Sequence, residues 1–229
     1  LVQNNHKVAI CEQLEDPSQA KGLVKRGVTR VITPGTLLED EYIPSFENNY
    51  IMCIYSPKNI SEKYGASLVD ISTGEFFTTE VQKLDELKTI IRKHSPNEII
   101  MNESSFARGL KEFIKNSNIY YNFLSDIRFN IHYANEILKK QFGHKAGELG
   151  LGQKDFSAIS SGALLFYIYK LPKLDLTHIN KISYVDLSSN MVLDSISLRN
   201  LEITDSIFTK DKTKTLYGII NNTKTPAGA

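Results

Sequence analysis

The sequence predicts an α/β protein in which one complete mixed-sheet unit is flanked by two incomplete pieces. Three observations predict it. β-rich runs at 50–55, 64–71 and 75–79 are separated only by turns, which makes an antiparallel meander. From Leu84 onward strands alternate with helices, the pattern of a parallel section with helices on its faces. Both ends carry too few elements to bury a core alone.

Val8-Ala9-Ile10-Cys11-Glu12 reads as a short buried strand. Asp16-Pro17-Ser18 reads as a helix start, with Asp16 as N-cap and Pro17 at the first helical position. Val28 to Ile32 is a second β-rich run, stopped by Thr33-Pro34-Gly35. The acidic stretch from Leu38, with Pro44 and two asparagines at its end, reads as a linker. The meander comes next, with the tight turn Ser72-Thr73-Gly74 before its third strand. Leu84, Leu87, Ile90 and Ile91 lie at helical spacing, and that helix stops before Pro96. Glu98 to Met101 is a strand, and Ser104 or Ser105 caps a helix with Phe106, Leu110, Phe113 and Ile114 on its apolar face. Ile119 to Phe123 is a strand, and Ile131, Ala134, Leu138 and Phe142 mark a further helix. Gly143 to Gly152 holds four glycines and reads as a loop before an apolar helix at about Ser157 to Tyr169, ended by Leu171-Pro172. Short strands at Ser183–Leu187 and Met191–Leu193, a helix capped by Asp194, and a helix opening at Leu216 follow.

The expected division is therefore an incomplete α/β piece at 1–37, a linker at 38–48, the complete unit at 49–172, and the start of an α-helical unit at 173–229. Over 49–172 the order βββαβαβα matches a ribonuclease-H-like mixed sheet, and a flavodoxin-like sheet also fits. The incomplete ends and the lack of an initiator Met lead us to expect a piece of a longer protein.

Composition narrows the function classes. No apolar run approaches the ~18 residues of a membrane span, and no basic region followed by an apolar core opens the chain. Cys11 and Cys53 sit in strand-like runs and read as buried thiols of a reducing compartment. The histidines are scattered, so no metal site is expected. A net charge of +1 argues against a uniformly basic nucleic-acid binder. Charge is nonetheless segregated: Lys21, Lys25, Arg26 and Arg30 fall within 20–31 without an acid, and Glu39, Asp40, Glu41 and Glu47 follow.

A ribonuclease-H-like sheet raises metal-assisted phosphodiester cleavage, which needs several converging carboxylates. Asp70 is the first candidate, but the fourth strand of the unit ends in Asn102-Glu103, and Asp70 suits a hydrogen-bonding role in the turn at 72–74. A divergent metal-dependent nuclease is the alternative reading. No GxxxxGK[ST] phosphate loop occurs, and Gly147, Gly150 and Gly152 reverse the dinucleotide pattern. No catalytic constellation emerges.

Three stretches together resemble one family. They are Val8-Ala9-Ile10-Cys11-Glu12-Gln13 through Arg30-Val31-Ile32-Thr33-Pro34-Gly35-Thr36; Asp70-Ile71-Ser72-Thr73-Gly74-Glu75-Phe76; and Leu193-Asp194 with Leu198-Arg199-Asn200-Leu201-Glu202-Ile203. They are similar to the end of the mismatch-binding domain, the connector domain and the start of the core (lever) domain of the MutS DNA mismatch repair proteins. The resemblance implies a cytoplasmic, nucleoid-associated bacterial protein that clamps mismatched double-stranded DNA as a homodimer. It also implies that the intact parent uses ATP and Mg to signal to a MutL-type partner. The family's Phe-x-Glu wedge and its phosphate loop do not occur in this sequence. The resemblance thus implies a non-catalytic connector, without a cofactor of its own. It places sequence-independent DNA-backbone contacts on Lys25, Arg26 and Arg30, and partner docking on the helix carrying Asn135, Glu136 and Ile137.

Overall fold

In a computed structural model, the described residues are 1–2, 6–15, 23–36, 48–58, 63–171, 174–186, 197, 200–203, 206–207 and 212–223. The helix start at Asp16-Pro17, most of the acidic linker, Pro172, the strand at Met191–Leu193 and the Asp194 cap lie outside them.

Strands β3 (Tyr50–Tyr55), β4 (Tyr64–Asp70) and β5 (Phe76–Val81) form the expected antiparallel meander. Their near-continuous apolar runs are explained by burial on both faces. Alternate residues point to opposite faces: Ile51, Cys53, Val69 and Phe76 enter one core, while Met52, Ile54, Leu68 and Phe77 enter the other. β6 (Glu98–Met101) lies parallel to β3, and β7 (Tyr120–Phe123) lies parallel to β6. A two-residue strand, β8 (Ser183–Tyr184), pairs parallel to β5, so the sheet order is β7-β6-β3-β4-β5-β8.

Helices cover both faces. Helix α1 (Leu84–His94) buries Leu87, Ile90 and Ile91, and Glu86 reaches back to the N–H groups of Gln82 and Lys83. On the same side α2 (Glu103–Ser105) passes through a π-helical turn, Phe106–Leu110, into α3 (Lys111–Ser117). The sequence reading of Ser104 or Ser105 as a cap is corrected. Asn102 occupies the N-cap position, and both serines are buried inside the first turn. α4 (Ile131–Phe142) and α5 (Asp155–Tyr169) cover the opposite face.

α5 is apolar all round and buried along most of its length. Two of its serine hydroxyls find a partner in the sheet: Ser67 Oγ lies 2.6 Å from Ser160 Oγ and 2.9 Å from Ser161 Oγ. Its N-terminal N–H groups are capped from across the sheet. Glu80 Oε1 on β5 accepts from Phe156 N at 2.9 Å and Ser157 N at 3.2 Å, while Lys63 holds the other carboxylate oxygen at 2.8 Å. The glycine-rich stretch expected as loop contains a π-helical turn, Gly147–Leu151, with Gly150 at φ 77°. Beyond α5, Leu176 and Ile179 are buried in the α4–α5 core. Gln141 Nε2 donates to their carbonyls at 2.9 and 2.7 Å, so 174–184 packs on the sheet unit.

The N-terminal elements are a two-stranded hairpin, β1 (Val8–Gln13) against β2 (Arg26–Ile32). The expectation that β1 is buried is corrected: Glu12 and its neighbours are exposed, and so is Cys11. Two strands give one ladder and no second layer to cover it. Cys53, by contrast, is buried as expected.

Candidate nucleic-acid and partner interface

Of the basic stretch, Arg26 and Arg30 lie on β2 and Lys25 just before it, while Lys21 lies outside the described residues. Lys25 and Arg26 are exposed where the ladder ends at Gln13↔Arg26, and Lys25 N donates to Glu15 Oε1 at 2.8 Å. Arg30 is half-buried opposite Ile10, about 13 Å further along the strand at ~3.3 Å per residue. Between Cys11↔Val28 and Ile10↔Arg30, β2 holds one extra residue, Thr29. This bulge breaks the alternation of faces between Arg26 and Arg30. The structure therefore brings Lys25 and Arg26 together and sets Arg30 apart from them, towards the sheet unit.

β2 then runs into a 3-10 turn, Pro34–Thr36, whose residues are buried. The turn is closed locally, with Thr33 N donating to Thr36 Oγ1 at 2.8 Å and Thr36 N to Thr33 O at 3.0 Å. It is also gripped from outside. Glu98, at the start of β6 and fully buried, accepts from Thr33 Oγ1 at 2.5 Å and Gly35 N at 3.3 Å through one carboxylate oxygen. Its other oxygen accepts from Tyr167 OH on α5 at 2.5 Å. Asn49 Nδ2 reaches Pro34 O at 3.4 Å, and Asn97 Nδ2 holds Asn49 Oδ1 at 2.7 Å. Glycine is required at 35 because a Cβ there would lie 2.4 Å from Ile51 Cγ1 and 3.0 Å from Glu98 Cβ.

Burial pushes the Glu98 carboxyl above the usual carboxylate range. Hydrogen bonds from Thr33, Tyr167 and Gly35, with the charge of Lys7, pull it partway back. Sequence reasoning missed Glu98. The available signal was a carboxylate opening a strand that is otherwise Ile-Ile-Met, where burial demands partners for it.

The three docking candidates on α4 do not share one environment. Glu136 is exposed. Asn135 Oδ1 accepts from Ala146 N at 2.9 Å, which ties the glycine-rich stretch to the helix. Ile137 packs against the buried core. The outward face around Glu136 also carries His132, Lys139 and Lys140.

Asp70 is buried and serves its own turn. Oδ1 accepts from Ser72 N at 2.8 Å, Ser72 Oγ at 2.6 Å and Thr73 N at 3.4 Å, and Oδ2 accepts from Asn49 N at 3.0 Å. Among the described residues, no group of three or more His, Cys, Asp or Glu is arranged to hold a metal ion. No described helix is long and apolar enough to cross a membrane.

These features define a class: a three-layer α/β domain onto which the basic hairpin of a preceding unit is docked by its final turn. Comparison with known proteins agrees on both parts. The family described as MutS domain II matches residues 49–180, and the one described as MutS domain I matches residues 1–41. The chain belongs to the MutS family of DNA mismatch repair proteins. It is 44% identical to the DNA mismatch repair protein MutS of Caldanaerobacter subterraneus, over 100% of this chain and 26% of that protein. It is 40% identical to the namesake from Lachnoclostridium phytofermentans, over 100% of this chain and 25% of that protein. For that of Methanosarcina barkeri the identity is 38%, over 100% and 27%. The chain thus spans about a quarter of the length of the curated relatives it matches.

Proposed function

We propose that this chain is the non-catalytic junction of a mismatch repair protein, joining a DNA-gripping unit to the body that signals its occupancy. The observation that carries this reading is the join itself. A hairpin bearing exposed cations ends in a buried turn held by the sheet of the next unit.

In this reading the meander continued by two parallel strands, β5-β4-β3-β6-β7, is a ribonuclease-H-like connector. The first unit runs over 1–37 and the linker over 38–48. The connector begins at 49, and the packing of 174–184 supports extending it past 172 to Tyr184 before the lever unit starts. Lys25, Arg26 and Arg30 contact DNA phosphates without reading sequence. The outward face of α4 around Glu136 docks a MutL-type partner, with Asn135 shaping the adjoining loop and Ile137 anchoring the helix. ATP and Mg act in the intact protein. The residues here do not fit ATP, since no GxxxxGK[ST] loop occurs in the sequence, and no step is assigned to it. The intact protein works as a homodimer on mismatched duplex DNA in the bacterial cytoplasm.

DNA binding by the 229-residue chain, titrated against salt on matched and mismatched duplexes, tests the grip. Weak binding indifferent to the mismatch is expected, with a log–log salt slope that shrinks by about 0.9 for each cation replaced by Ala. Tight, salt-resistant, mismatch-selective binding would overturn it. For docking, charge reversal at Glu136 and Lys139 in the intact protein is expected to lower recruitment of the MutL-type partner. Unchanged recruitment would reject that assignment.

A further inference from the structure

We propose that Glu98 is a positioning residue that fixes the orientation of the DNA-side hairpin relative to the connector sheet. The functional meaning of this proposal rests on the reading above, although its geometry does not.

Two polar contacts at the end of the hairpin converge on one carboxylate. The Thr33 hydroxyl and the Gly35 N–H, both just past the end of β2, donate to the same Glu98 oxygen. Pro34 O receives a longer, 3.4 Å contact from Asn49. The space at Gly35 leaves no room for a Cβ, so the turn has one seating against Ile51 and Glu98.

Glu98 is itself held on the far side by Tyr167 OH from α5. α5 in turn packs directly on α4, where a Cβ on Gly162 would lie 2.5 Å from Ala134 Cα. Arg30 stands on β2 three residues before Thr33, so the angle of the proposed phosphate contact is set where Glu98 seats the turn. A buried carboxylate suits this task. Losing one donor leaves a buried carboxyl oxygen under-satisfied, so intermediate seatings are penalised.

The test is a distance. Cys11 on β1 is exposed and Cys53 is buried, so a spin label on Cys11 can be paired with one at Lys139→Cys on α4 in the 229-residue chain. A single narrow distance distribution is expected. Thr33→Val removes only the hairpin-side hydroxyl, and Glu98→Gln exchanges one acceptor oxygen for a donor amide. Each is expected to broaden the distribution about twofold while the melting of the sheet unit changes little, as for local opening of a peripheral segment. Tyr167→Phe, which leaves the hairpin side of Glu98 intact, is expected to keep the distribution narrow.

An unchanged width in both Thr33→Val and Glu98→Gln would overturn the proposal. Should a Glu98 variant fail to fold, Thr33→Val alone decides. Salt-sensitive DNA binding with no broadening in the variants would sink the positioning role and leave the junction reading intact. Broadening without any DNA binding by the parent chain would do the reverse.

Discussion

Asp70 faces inward on the turn at 72–74, where it answers three backbone N–H groups and the Ser72 hydroxyl. Asp70→Ala is expected to leave the buried Asn49 N–H unsatisfied and to loosen the turn, at a cost of roughly 1–3 kcal/mol, read as a lower urea midpoint. His94 offers a pH-dependent counterpart. It packs against the rings of Tyr50 and Phe77, at 5.5 and 4.9 Å. Burial, and secondarily the charge of Lys93, lowers its pKa from 6.5 to about 4. The folded protein therefore holds this proton more weakly than the unfolded chain. The stabilisation is complete above about pH 6.5 and is lost as pH falls towards 4. Part of the ring is exposed, so the effect is discounted to about 2 kcal/mol. It is measurable as the extra acid sensitivity of wild type over His94→Gln. The Asp70 role in the turn was legible in the sequence, because Ser72 and Thr73 are its near neighbours; its bond from the Asn49 N–H was not. The role of Glu98 was not, since Thr33 and Tyr167 stand 65 and 69 positions away.

Several elements whose start and stop signals are local matched their expected limits, the helix at Glu103 excepted. α1 ends before Pro96, and α4 starts at Asn130, whose side chain accepts from His132 N. α5 began earlier than expected, at Asp155, because its cap is not local: Glu80 on β5 holds the first N–H groups. Glu80→Ala is expected to cost about 1–2 kcal/mol in thermal melts, through the lost cap and the orphaned Lys63. Close approach is the second device at this scale. A Cβ on Gly65 would lie 2.1 Å from the Phe156 carbonyl oxygen, a backbone atom that cannot swing aside. Gly65→Ala is expected to destabilise by about 3 kcal/mol, at the upper end for overpacking, and Gly162→Ala by less if α4 can shift outward. Neither constraint can be read from a glycine in a strand or helix run, because the neighbour that imposes it comes from a distant element.

Across the whole molecule, stability is expected to be uneven. β3, β4 and β6 lie inside a sheet covered on both faces, whereas β1 and β2 form a two-stranded ladder that meets that unit at Val31 and the seated turn. Amide exchange of β1 and β2 should therefore be far faster than that of the central strands. Equal protection would show that the hairpin belongs to the same cooperative unit. The central α/β order was legible because its strands and helices alternate with clear period changes. A short strand from Ser183 was expected and β8 falls there, but the packing of 174–184 on the sheet unit was not legible, because its partner strand β5 lies far off in sequence. That short strand bears on how the chain can be shortened. β8 covers part of the outer edge of β5, and Leu176 and Ile179 fill the core beside it. A truncation after Leu171 would bare a strand edge carrying Phe76 and Phe77 together with an apolar hollow. The product would be prone to edge-to-edge aggregation, whereas a cut after Asp186 keeps that edge capped and should give a soluble domain.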